Sequence, residues 1–436
     1  MALAVLAYCG PVLAMLRTKR LLRLWQSLTR RAGLANWHDV LHNTVPIYSI
    51  QQTMARAYAK HALNGSSSSV EVAIPLPALK GRGVSHRHAH RFELDARSAF
   101  DDGWGSLDET CLAGDDRPRV DTVVTWETAR SAITRNQSPD IGFNLGLNPY
   151  RGCEHGCSYC YARPSHSYLG MSPGLDFETR LVAKQNIAEV LAAELQRSAY
   201  RPDMIALGTV TDAYQPVERE LRLTRGVMEV MHRSSHPVGI VTKGSGVERD
   251  LDLLAPMAEQ GLCAVYVTIT TLDARLARIL EPRAAAPHRR LRTIRALAEA
   301  GVPVGVSVSP QIPFINDDME QVLQAAAEAG ASRAFYQVLR LPWELAPIFR
   351  QWLEQHYPDR AERVMSRIQD MRGGQDYDAD FSTRMKGSGV WSDLLRQRFH
   401  KACARLGMSA RQSQTRSELN TALFNPKNLG RQAQLF

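Results

Sequence analysis

From about residue 142 onward, apolar positions alternate between two rhythms. Short continuous apolar runs occur at Met204 to Leu207, Val238 to Val241, Ala264 to Ile269, Val302 to Val308 and Ala334 to Leu339, roughly thirty residues apart. Between them apolar residues recur at helical spacing: Ile187, Val190, Leu191 and Leu195; Leu291, Ile294 and Leu297; Met319, Val322, Leu323 and Ala326. Continuous runs predict strands buried on both faces, and the helical intervals predict the crossovers between them. With one more strand near Phe143 to Tyr150, six strand–helix units form a parallel sheet with right-handed connections. The class is α/β. Trp343 to Met371 reads as two further helices, and the remainder to Phe436 shows little apolar periodicity and reads as a cap or tail.

The pattern divides the chain into an extension at 1–78, a leader at 79–141 that wraps the sheet, a main unit at 142–342 and a C-terminal helical extension at 343–436. Met1 to Leu16 is apolar, and its basic residues, Arg17 to Arg31, follow that run instead of preceding it. This order and the lack of a small-residue cleavage site argue against a secretory signal. Two readings of residues 1–53 stand open. They form a poorly ordered stretch or a lone amphipathic helix around Leu13 to Leu28, or they are an over-called start and the native chain begins at Met54. The second lowers the net charge from +9 to about +4, because six basic residues and one acid are removed. Gly65 to Ser69, G-S-S-S-S, is a flexible link.

Composition adds modest constraints. With 44% hydrophobic and 22% charged residues and no apolar run of membrane-spanning length, a soluble globular protein is expected. The charge of +9 is dispersed and consists overwhelmingly of arginine, with no basic arm, so nucleic acid stays open as a partner without being demanded. Seven cysteines, four of them scattered at Cys9, Cys111, Cys263 and Cys403, do not form a disulfide framework, which fits a reducing cytoplasm.

The other three carry the chemistry. Asn148 to Arg163 reads N-P-Y-R-G-C-E-H-G-C-S-Y-C-Y-A-R, setting Cys153, Cys157 and Cys160 in a C-x3-C-x2-C array punctuated by Gly152 and Gly156. A loop turning at two glycines can aim three thiolates at one soft metal centre. A closed zinc site wants four protein ligands, which here requires His155 or His166, whereas an iron–sulfur cube held by three thiolates leaves one iron open.

This array, with Tyr159 as the aromatic residue before its last cysteine, resembles the signature of the radical S-adenosylmethionine (SAM) superfamily. The resemblance implies a partial (β/α)6 barrel of the triosephosphate-isomerase type with active groups at the C-terminal strand ends. It also implies a [4Fe-4S] cluster on Cys153, Cys157 and Cys160, SAM on the open iron, and a one-electron donor such as flavodoxin or ferredoxin. K-G-R-G at Lys80 to Gly83, R-F-E at Arg91 to Glu93 and D-D-G-W at Asp101 to Trp104 are similar to an uncharacterised bacterial subgroup, with Arg82 and Asp101 expected in ion pairs.

From Asn148 to Ile312 the chain also resembles spore photoproduct lyases. That likeness implies that Tyr159 and Tyr161 pack near SAM. Thr211 and Asp212 stand at its serine–aspartate pair, where Asp212 would accept from the SAM amine or ribose. Lys243 would pair with the SAM carboxylate, Thr268 keeps a hydroxyl for the ribose, and Ser309 replaces a residue that approaches through its backbone. Glu281 to Arg283, E-P-R, follows where that family has E-P. One departure counts against lyase chemistry: Thr209 stands where the family has a hydrogen-donating cysteine, and a hydroxyl hydrogen is too strongly bonded for that role. The reading is a radical SAM enzyme of unassigned substrate. The alternatives are a lyase-like nucleic-acid repair or modification enzyme and a non-enzymatic iron–sulfur or zinc protein.

Overall fold

The computed structural model describes residues 79, 81–93, 120–410 and 419–430. The expectations for residues 1–78, including the alternative start at Met54, and for Asp101 to Trp104 lie outside the described residues.

The described strands are, in chain order, β1 (Val123–Glu127), β2 (Ile133–Arg135), β3 (Leu145–Leu147), β4 (Tyr150–Arg151), β5 (Arg180–Lys184), β6 (Ile205–Leu207), β7 (Val238–Thr242), β8 (Cys263–Thr268), β9 (Val304–Ser307), β10 (Arg333–Phe335) and β11 (Ser409–Ala410). The main sheet runs β2-β3-β6-β7-β8-β9-β10-β11. Its six expected strands, β3 and β6 to β10, are all parallel neighbours, in registers such as Leu145 opposite Ile205 and Val238 opposite Cys263. Leu147, Ile205, Leu207, Val265, Val267 and Val306 are buried, as strands covered on both sides require.

Helices α1 (Ile187–Leu195), α2 (Leu223–Arg233), α3 (Leu251–Glu259), α4 (Ala274–Leu280), α5 (Pro287–Glu299) and α6 (Met319–Glu328) fill the crossovers. Helix α4 starts where the Asp273 carboxylate accepts from the amides of Arg275 and Leu276 at 2.8 and 3.2 Å. Helix α5 starts on Pro287, whose missing amide costs nothing in a first turn. Ile294, Leu297, Val322, Leu323 and Ala326 turn their apolar face onto the sheet.

The sheet does not close: no pairing joins β2 to β11. Instead, side chains span the gap. Arg384 donates from Nε and Nη2 to the two oxygens of Asp140 at 2.5 and 2.6 Å, and Asp140 is buried. Asp140 precedes β3, whereas the neighbouring Met385 accepts from the amide of Val338 just past β10. This ion pair therefore links the two sides of the open barrel.

Two regions differ from the sequence reading. The leader supplies strands: β2 is an antiparallel edge of the main sheet, and β1 joins β5 and β4 in a separate three-stranded sheet. Exposed and half-buried residues dominate β1, which hides it from apolar periodicity. Helices α7 (Leu345–His356) and α8 (Pro358–Asp370) occupy the predicted pair, and the segment read as a cap or tail holds a further helix and a strand. Helix α9 (Gly389–Arg405) buries Ser392, Leu395, Phe399, Ala402 and Cys403, and β11 then pairs with β10. A buried serine and alanine, with Val390 and Leu394 facing outward, disguise that helix.

Arg82 departs as well. Among the described residues it makes no ion pair at salt-bridge distance, and its guanidinium donates to the carbonyls of Glu178 (2.9 Å) and Val120 and to the Thr122 hydroxyl (3.2 Å).

Candidate active site

The cysteine loop leaves β3 and β4 and turns at Gly152 and Gly156, whose φ angles are +80° and +66°. A side chain at Gly152 would also strike Leu181 and Phe177. From one side the Thr211 hydroxyl donates to the Gly152 carbonyl at 2.6 Å, and Gln215 receives the Glu154 amide at 2.8 Å. From the other, the amide of Ser158 donates to Leu280 at 3.0 Å, and that of Arg283 donates to His155 at 3.2 Å. Beneath it, fully buried Arg163 donates to the Cys157 carbonyl at 2.9 Å and to the Glu178 carboxylate at 2.5 Å. Glu178 in turn accepts the amide of Gly83 at 3.0 Å. The loop is held on every side before any ligand is considered.

A cavity of about 340 Å³ lies over the C-terminal strand ends. Cys153, Cys157, Cys160, Tyr159, Tyr161, Thr211, Asp212, Lys243, Thr268 and Ser309 all line it. The sequence-predicted residues are thus brought to one place, although their side chains are used differently. The Asp212 carboxylate accepts from the Thr242 hydroxyl (2.6 Å), the Tyr214 amide (2.9 Å) and the Lys243 amide (2.7 Å), and it pairs with Nδ1 of His155 at 3.2 Å. Burial opposes its charge, but His155, Thr242 and the Lys243 amide prevail and hold it well below the usual carboxylate range. With four protein partners Asp212 organises the loop.

Lys243 is enclosed, with Nζ 5.7 Å from the centre of the Tyr159 ring. Burial disfavours its charge, yet Cys157, Glu281 and Asp212 together raise its pKa. The Tyr159 hydroxyl donates to Glu281, which also accepts from Thr270 at 2.5 Å and from Arg290. Burial pushes Glu281 up, but Arg290 and Lys243 bring it down to about 2. The Tyr161 hydroxyl donates to the Thr209 carbonyl, leaving its ring at the cavity mouth. The Ser309 hydroxyl oxygen is buried without a partner.

The cysteines are free thiols. Burial drives Cys153 well above its ordinary value and Cys157 up to about 12, with Lys243 opposing the shift at Cys157. Such thiols ionise on binding metal, and metal affinity then couples to proton release. Of the two histidines a zinc site would call on, His155 lines the cavity with Nδ1 against Asp212, while His166 lies outside it with Nε2 against the Arg180 carbonyl at 3.0 Å. Among the described residues, no three His, Cys, Asp or Glu side chains gather closely enough for one metal ion. A cubane places each thiolate on a different iron, so three cysteines around one cavity suit it. The orphaned Ser309 hydroxyl and the enclosed Lys243 ammonium suit a polar, carboxylate-bearing ligand.

Sequence reasoning missed the His155–Asp212 pair, Gln215, Arg340 and the approach of Gly83. Glu281 was visible in its E-P-R run, but not as the acceptor for three donors. Arg340 is one arginine among many and carries no local signal. Neither Cys263 nor Cys403 lines the cavity.

An open parallel barrel with three cysteines at its strand ends defines a class of metal-dependent enzyme, and comparison with known proteins gives the family. The model of the radical SAM superfamily matches residues 147–326. An uncharacterised protein of Mycobacterium tuberculosis is 37% identical over 253 residues, covering 56% of this chain and 74% of its own. One of Methanocaldococcus jannaschii is 26% identical over 239 residues, covering 55% and 85%. The chain belongs to the radical SAM superfamily, and membership implies an enzyme that uses a [4Fe-4S] cluster, SAM and an external electron donor. Among solved structures, a spore photoproduct lyase complexed with dinucleoside spore photoproduct aligns at TM-score 0.43 and 16% identity, over 66% of this chain and 81% of that one. The Streptococcus suis protein SuiB bound to precursor peptide SuiA aligns at TM-score 0.34 and 12% identity, over 63% and 50%. Among the described residues no helix is long and apolar enough to cross a membrane.

Proposed function

We propose that this chain holds a [4Fe-4S] cluster on Cys153, Cys157 and Cys160 and SAM in the cavity beside it, and abstracts hydrogen from a substrate seated over the strand ends. The observation that carries the proposal is the gathering of three free cysteines, a half-buried lysine and an unpartnered serine hydroxyl around one cavity. When bound, the pair supplies one-electron cleavage of the sulfonium to a 5'-deoxyadenosyl radical, with the electron drawn from a donor such as flavodoxin or ferredoxin. Lys243 receives the ligand carboxylate. Thr268 and Ser309 offer hydroxyls to its ribose end, Tyr159 and Tyr161 wall it in, and Asp212 fixes His155 and the cysteine loop so that these groups stay in register. The enclosed wall keeps water from the reacting atoms. The proposal stops at hydrogen abstraction. No cysteine other than the three lines the cavity among the described residues, and the Thr209 hydroxyl is an acceptor for Asn148 at 3.4 Å.

The test is anaerobic reconstitution, measuring bound iron and sulfide and then 5'-deoxyadenosine after incubation with SAM and dithionite. Cys157→Ala should lose both, because two thiolates cannot retain the cube, whereas Cys263→Ala, outside the cavity, should keep both. Cleavage surviving in Cys157→Ala would overturn the ligand assignment.

A further inference from the structure

Three arginines gather beside the cavity mouth, and two of them donate to protein acceptors. Arg384 holds Asp140 through two short bonds, and Arg372 donates to the carbonyls of Thr383 (3.0 Å) and Leu339 (2.8 Å). The third, Arg340, lines the cavity itself. Its guanidinium carbon lies 4.6 Å from the centre of the Tyr161 ring. Among the described residues it makes no hydrogen bond and no ion pair.

Its position is fixed. The preceding Leu339 donates its amide to Gln311 at 3.1 Å and accepts Arg372 at its carbonyl, while the Tyr161 ring is pinned through its hydroxyl to Thr209. A guanidinium with one face on an aromatic ring and its N–H edges uncommitted is arranged for two-point recognition of an oxyanion. Burial, opposed by Tyr161, Tyr377 and Asp140 and reinforced by Arg384, lowers its pKa. Lys243 does not compete for the same ligand group, since it sits deeper, against Tyr159 and Cys157.

We propose that Arg340 anchors an oxyanion of the substrate, a carboxylate or a phosphate, at the mouth of the cavity, so that the enzyme acts on an acidic molecule. This rests on the reading of the cavity as the active site. The anchor fixes one end of the substrate on the Tyr161 side while its C–H bond lies over the strand ends.

The test uses the full chain, anaerobically reconstituted with SAM present, and titrates inorganic phosphate, acetate and a short oligothymidylate calorimetrically at low ionic strength. At least one probe should bind saturably at one site, and Arg340→Gln should weaken it tenfold or more with the melting temperature held. Preference for acetate assigns a carboxylic acid, preference for phosphate a small phosphate ester, and much tighter binding of the oligonucleotide a nucleic-acid backbone. Equal binding by the wild type and Arg340→Gln, or no saturable binding of any probe by the wild type, overturns the proposal. Should Arg340→Gln fail to fold, Arg340→Lys decides: the charge stays but the fork is lost, so binding should fall at least fivefold, and unchanged binding overturns the assignment. Wild-type SAM cleavage is measured alongside. Its absence would sink the enzyme reading, whereas the anion titrations report on Arg340 alone.

Discussion

Asp212 was singled out by the resemblance to spore photoproduct lyases, but its partners were not legible, since His155 and Thr242 reach it only through the fold. Replacing it by asparagine removes a charge and leaves a donor of His155 or of the Lys243 amide without its acceptor. Leaving one such buried group unsatisfied costs about 1–3 kcal/mol. Asp212→Asn should therefore lower the denaturation midpoint, and reconstituted iron should fall with it because His155 lies between two of the cysteines. A second residue sets a pH dependence. His236 is buried between the Tyr200 hydroxyl (2.7 Å from Nε2) and the Pro237 carbonyl (3.0 Å from Nδ1), and burial lowers its pKa from 6.5 to about 4. A histidine held neutral in the fold contributes stability that is fully present above its unfolded pKa and is lost as pH falls from there toward the folded value. Between about pH 7.5 and about pH 5 the loss from this group is roughly 2 kcal/mol. Urea titrations at the two pH values should show a loss of stability in His236→Gln that is smaller than the wild-type loss by about that amount.

At the level of elements, the cysteine loop depends on a segment far from it in sequence. A Cβ on Gly83 would stand 1.7 Å from the carbonyl oxygen of Gly156, so the two backbones touch and only glycine fits. Val84 continues the contact, packing in one cluster with Cys157, Tyr159 and helices α7 and α8. Gly83→Ala must push the strap off the loop, at a cost of about 1–3 kcal/mol. The expected result is a lower melting temperature and reduced iron loading, while the fold signature in far-ultraviolet circular dichroism persists. K-G-R-G could be singled out in the sequence, but its role could not, because a close approach of two backbones leaves no periodic trace. The six barrel strands were legible for the opposite reason. Runs such as Val238 to Val241 and Val302 to Val308 are apolar because they face sheet and helix at once. Strand β11 has two residues, and β1 leaves its apolar Val123 and Trp126 exposed with no alternation of burial, so neither writes a pattern.

For the molecule as a whole, repeated strand–helix units gave the parallel order but could not say how the ring ends. The answer lies in a side-chain contact between residues 140 and 384. Removing one member of a buried ion pair leaves the other charge uncompensated, which costs about 3–5 kcal/mol. Asp140→Ala should accordingly lower the thermal midpoint by several degrees, and Asp140→Ala with Arg384→Met should recover part of the loss. A double variant as unstable as the single one would show that the pair is not what joins the two sides.

A cylinder sealed by backbone ladders exchanges its contents only along its axis. Here the circumference is fastened by a clasp, which can let go without unzipping any strand, so a lateral doorway is available to guests broader than the axial opening.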